Sequence, residues 1–104
     1  FLSFEPLLED LGTLDLRGYH WAIVGGESGP DFRPMPHPWA RAIKDQCVDQ
    51  SVAYFFKQSA APRTEMGTAL QEQDGTFQAW QQYPGTLTPP TPAPAHRYTP
   101  RLVA

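Results

Sequence analysis

Trp21-Ala22-Ile23-Val24-Gly25-Gly26-Glu27-Ser28-Gly29 is the stretch on which the fold turns. Its four apolar residues run without polar alternation, which predicts a strand buried on both faces, as in a parallel sheet. Two glycines then end the strand, where they permit positive φ or close backbone approach. They present Glu27 at the strand's carboxyl end, the edge at which parallel α/β proteins bind ligands. The Gly-x-Gly-x-x-Gly and Walker spacings of nucleotide loops are absent. Gly25, Gly26, Glu27 and Ser28 are therefore candidate ligand-binding residues, set against the alternative of a tight turn with a solvated glutamate.

Working outward, the segment from Ser28 to His37 is rich in turn formers, and Pro38 suits the first position of a helix. Trp39, Ile43 and Cys47 recur at four-residue spacing, with Ala40, Ala42 and Val48 nearby, and predict one apolar stripe. Val52-Ala53-Tyr54-Phe55-Phe56 is a second apolar strand, ending at Lys57-Gln58. Strand, helix, strand in this order is the βαβ unit. Upstream, Phe1-Leu2-Ser3-Phe4-Glu5 predicts another strand, stopped by Pro6. The expected fold is α/β: a small, mostly parallel three-stranded sheet with one long crossover helix, over residues 1–64.

Residues 65–83 are expected to form an appendage, a short helix or a hairpin. Glu65 to Gln73 permits the helix, whereas Asp74-Gly75 and the alternating Thr76-Phe77-Gln78-Ala79-Trp80 favour a hairpin. Residues 84–104 are expected to be an extended or disordered tail, since six of the seventeen residues from Pro84 to Pro100 are proline. Trp21 and Trp39 are assigned to the core, and Trp80 with Tyr83 to a lid packed on it, with a binding platform as the alternative. His37 is assigned to the helix start.

A chain of 104 residues implies one modest core. Its formal net charge of -3 lacks the basic excess of a duplex nucleic-acid binder. Cys47 is the sole cysteine, so neither an intrachain disulfide nor a thiolate metal cluster is possible, and no metal site is expected. No membrane span or signal peptide is evident, and a cytoplasmic location is expected. The chain starts without Met inside a strand-like run, which suggests a fragment, a processed product or a trimmed chain.

Three charged side chains fall at three strand ends: Glu5, Glu27 and Lys57. If the strands are parallel neighbours, these converge on one sheet edge, with Gln58 beside Lys57 and Arg33 able to fold over from its loop. The alternative is an ion pair that merely closes the end of the sheet.

Phe1-Leu2-Ser3-Phe4-Glu5-Pro6-Leu7-Leu8, Trp21 to Pro30, Arg33-Pro34-Met35, Asp45-Gln46-Cys47 and Phe55-Phe56-Lys57-Gln58 together form a recognisable run. It resembles the C-terminal part of a phage-associated, radical-SAM-like protein family of unknown function. The resemblance implies the last strands of a (β/α) barrel, with Glu5, Glu27 and Lys57 at its mouth. It also implies S-adenosylmethionine and an iron–sulfur cluster for a full-length protein, held by a cysteine-bearing N-terminal portion that this sequence lacks. Gly25-Gly26-Glu27 resembles the motif that holds the methionyl amine in radical-SAM enzymes, although there it follows an early strand.

Two functions follow as expectations. One is a fragment or remnant of a radical-SAM-like enzyme that keeps a ligand-binding rim but not catalysis. The other is a stand-alone interaction module that self-associates through an unfinished sheet and binds a partner. The partners expected are accordingly a second copy or a missing N-terminal portion, and a small-molecule ligand.

Overall fold

A computed structural model, which describes residues 1–62 and 67–94, forms the expected parallel sheet from strands β1 (Leu2–Phe4), β2 (Trp21–Gly25) and β3 (Ala53–Gln58). Their order is β1-β2-β3, and both pairings are parallel. In register, Leu2, Ala22 and Tyr54 form one row, Ser3, Ile23 and Phe55 the next, and Phe4, Val24 and Phe56 a third. Helix α1 (His37–Asp49) joins β2 to β3 and starts with Pro38 in its first turn, as expected.

Alternate rows face opposite ways. Ala22, Val24, Tyr54 and Phe56 are buried in one core with Ala40, Ile43 and Cys47 of α1. The Tyr54 hydroxyl crosses this layer and donates to the Ala40 carbonyl at 2.9 Å. Val48, placed near the stripe by its spacing, is instead 54% exposed. The loop between β1 and β2 closes the flank of this core with buried Leu7 and Leu16, and Gln46 of α1's last turn and Gln50, which caps the helix, pin it. Gln46 Oε1 accepts from the Leu14 amide at 2.6 Å, and Gln50 Oε1 from the Leu16 amide at 3.2 Å.

The other face differs from expectation. Trp21, Ile23 and Phe55 are only partly buried, so the unbroken apolar run of β2 does not mark a strand covered on both sides. Trp21 lies on this face rather than in the core.

Residues 67–94 add a second, antiparallel sheet of β4 (Leu70–Gln71), β5 (Phe77–Ala79) and β6 (Thr91–Ala93). Of the two forms open for the appendage, the described residues form the hairpin. Leu70 is fully buried and pairs with Gln78, so tertiary packing overrides the helical spacing. Asp74 Oδ1 stabilises the turn by accepting from the Thr76 amide at 3.0 Å, and Gly75 has φ +89°. Part of the tail is extended and paired as β6, where Pro92 is tolerated on an edge strand. The expectation for the tail beyond Pro94 lies outside the described residues.

Trp80 is buried edge-on against Tyr54, as a lid residue should be. Its neighbours close the free edge of β3: the Phe56 amide donates to the Trp80 carbonyl at 2.8 Å and the Gln82 amide to the Tyr54 carbonyl at 3.0 Å. Lys44, outside the apolar stripe of α1, is half-buried, with its ammonium 3.1 Å from Glu72 and 5.4 Å from the Trp80 ring centre. This contact holds the two sheets together across the helix.

Candidate functional site

The register of β2 against β3 slips after Val24: Val24 pairs with Phe56, but Gly25 pairs with Gln58. Lys57 is the extra residue of this irregularity, and it projects onto the open face while Gln58 turns inward and is 1% exposed. Glu5, just past β1, reaches Lys57 with an Oε1–Nζ distance of 3.1 Å. Gly25 lies beneath that carboxylate, since a Cβ there would sit 3.1 Å from Glu5 Oε2. Glu5, Gly25 and Lys57 are thus one group.

Gly26 serves packing. A Cβ at this position would come within 2.3 Å of the Ala60 nitrogen and 2.7 Å of its Cα. The Gly26 amide donates to the Gln58 carbonyl at 2.8 Å, and Gln58 Nε2 donates back to the Gly26 carbonyl at 3.1 Å. Further on, Ala61 donates to the Glu27 carbonyl at 3.1 Å and Gly29 to the Ala61 carbonyl at 3.0 Å. Residues 26–29 therefore run alongside 58–61 as a continuation of the sheet, with Ser28 paired to Ala61.

Glu27 is held apart from Glu5 and Lys57. Its carboxylate takes three hydrogen bonds from Arg33: the amide at 2.8 Å, Nε at 3.0 Å and a terminal nitrogen at 2.7 Å. The Arg33 side chain, and then its amide, lower the Glu27 pKa from 4.5 to about 2. This clamp closes the loop of residues 27–33 around a separate hollow of about 440 Å³. The three strand-end charges thus share the carboxyl side of the sheet but fall into two groups.

Glu5 and Lys57 border a larger hollow of about 650 Å³ on the open face. Its floor is Ser3, Ile23 and Phe55, and Trp21 and Tyr83 form an aromatic wall. The ring centres of Trp21 and Tyr83 lie 5.7 Å apart, as do those of Phe55 and Tyr83. The indole Nε1 donates to the Gln82 carbonyl at 2.9 Å, which anchors the wall to the segment covering β3. Sequence reasoning missed Ser3, Ile23 and Phe55 here. The available signal was their shared odd position in three parallel strands, which is one face of the sheet.

His37 does more than begin the helix. Its Nδ1 accepts from the Gln71 amide at 2.8 Å, so the proton of the neutral ring is on Nε2 and points to Ser59 Oγ, 2.7 Å away. In this state the imidazole is a donor to Ser59 and no base for it, so the pair is a clasp between the two sheets.

The residues do not fit an iron–sulfur cluster. Cys47, the sole thiol of the chain, is fully buried on α1, and burial pushes its pKa up to about 12. Among the described residues no three His, Cys, Asp or Glu side chains gather as a metal site. No helix among them is long and apolar enough to cross a membrane.

Residues 1–84 match the family described as Protein of unknown function (DUF5131), and the chain belongs to that family. Neither a curated protein nor a solved structure matches the chain.

Proposed function

We propose that this member of a family of unknown function is the ligand-binding part of a phage-associated, radical-SAM-like barrel protein, and does no catalysis as the isolated chain. One observation carries the reading. A parallel sheet is covered by its helix on one face, and its other face opens into a hollow that ends, at the carboxyl side, in the Glu5–Lys57 pair. A sheet helix-covered on one face and open at its carboxyl side is compatible with a piece of a (β/α) barrel, in which ligands meet the carboxyl ends of the strands, and this supports the reading.

The lining favours a small ligand that is flat at one end and doubly charged at the other. Glu5 would accept from an ammonium, Lys57 would donate to a carboxylate, and Trp21 and Tyr83 offer ring faces. S-adenosylmethionine, the ligand implied by the resemblance, has this chemistry. When bound it supplies a sulfonium centre; the residues of this chain would only bind and orient it. Glu27 is not assigned to this ligand, because Arg33 clamps its carboxylate with three hydrogen bonds, away from Glu5 and Lys57.

Titration calorimetry with S-adenosylmethionine tests the proposal. Glu5→Gln should weaken binding by about 1–3 kcal/mol, since a charged acceptor is lost. The same change should leave Tm almost unmoved, because a partly exposed ion pair adds about 0–1 kcal/mol to stability. Glu27→Gln should leave affinity unchanged. No binding by the unmodified chain, or equal losses from both variants, would overturn the reading.

A further inference from the structure

A glycine at a strand end supplies either a positive φ or room for the close approach of another group. Gly25 has no positive φ, unlike Gly29, so its backbone would accept alanine. Close approach is left. The three atoms nearest to a Cβ on Gly25 all belong to Glu5: Oε2 at 3.1 Å, Cδ at 3.2 Å and Cγ at 3.3 Å. The backbone here has no room to retreat. The Leu7 amide donates to the Gly25 carbonyl at 2.9 Å, Gly25 pairs with Gln58 of β3, and Gly26 lies hard against Ala60. Added bulk at Gly25 would therefore move the Glu5 side chain and not the strand.

We infer that Gly25 is a positioning residue for the hollow: its missing side chain leaves the space in which the Glu5 carboxylate lies over β2 and reaches Lys57. Among the described residues, Glu5 Oε1 accepts from Lys57 Nζ at 3.1 Å and Oε2 accepts from none. Oε2 is thus the acceptor available to a ligand ammonium, and it is the oxygen that a methyl at Gly25 would strike. Displacing the carboxylate would remove that acceptor and draw Oε1 from Lys57 at the same time. The inference rests on the ligand reading for what Oε2 accepts from, and not for the contact between Glu5 and Lys57. Gly25 and Gly26 then divide the work. Gly26 makes room for backbone and serves the fold, whereas Gly25 makes room for a side chain and serves the site.

The chain has two lysines, Lys44 and Lys57, so NMR can follow their ammonium nitrogens separately. Gly25→Ala should move the Lys57 resonance towards its position in Glu5→Ala and leave that of Lys44 in place. A glycine needed only for packing would not do this. In calorimetry with S-adenosylmethionine, Gly25→Ala should weaken binding about tenfold, as expected when a charged acceptor is displaced. In a Glu5→Ala background no carboxylate lies above the methyl, so Gly25→Ala should add no further loss. A Lys57 resonance that Gly25→Ala leaves unmoved would overturn the inference. So would equal losses of affinity in the two backgrounds. If the unmodified chain binds no S-adenosylmethionine, the ligand reading falls, and the Lys57 resonance alone decides whether Gly25 positions Glu5.

Discussion

The two faces of the parallel sheet carry similar amounts of apolar side chain yet end in different states. Toward α1, Ala22, Val24, Tyr54 and Phe56 are each no more than 1% exposed. Toward the hollow, Trp21, Ile23 and Phe55 come from the same strands and remain partly open. Strand composition therefore does not decide burial here; the presence of a covering element does. The closed face holds the fold together, and the open face is the one to which the proposed ligand is assigned.

The largest expected effect tests this division directly. Phe56→Ala, on the closed face, should cost about 3–5 kcal/mol, as a fully buried aromatic leaves a cavity. Phe55→Ala, one residue away on the open face, should cost about 1–2 kcal/mol, because water already reaches the site. Urea unfolding of both variants measures the gap, and equal losses would show that the open face is covered in solution.

Next in size is Gly26→Ala. Its methyl would strike the backbone of Ala60, which cannot swing aside, so a loss of about 1–3 kcal/mol or more is expected. Gly25→Ala should be milder, because its methyl meets the Glu5 carboxylate, the end of a flexible side chain. Thermal melts that reverse this order would show that Gly25, not Gly26, is the packing glycine.

The smallest effect separates the two glutamates. The folded pKa of Glu27 lies below its ordinary value, so its pairing adds stability above about pH 4.5, and that contribution fades as pH falls towards about 2. Carboxyl NMR should show Glu27 titrating near pH 2. In Arg33→Met the midpoint should return towards 4.5. A midpoint that ignores the substitution would dissolve the Glu27–Arg33 clamp and reopen a common site for Glu5, Glu27 and Lys57.

Much of this protein is decided by local pattern alone. The run Trp21–Val24, the four-residue spacing of Trp39, Ile43 and Cys47, and the strand at Val52–Phe56 fix a βαβ unit, because apolar spacing and proline placement are properties of neighbouring residues. The same holds for the turn at Asp74-Gly75 and for Cys47 as a buried packing residue. What local pattern could not decide are the contacts made across the fold. Glu27 could face Lys57 or Arg33, and the closure of its own loop chose Arg33. The slip that aims Lys57 at Glu5 arises between two strands and is visible in neither. Whether an apolar strand is covered on one face or two depends on where residues 80–83 settle, since a side chain is buried only when something else arrives to bury it.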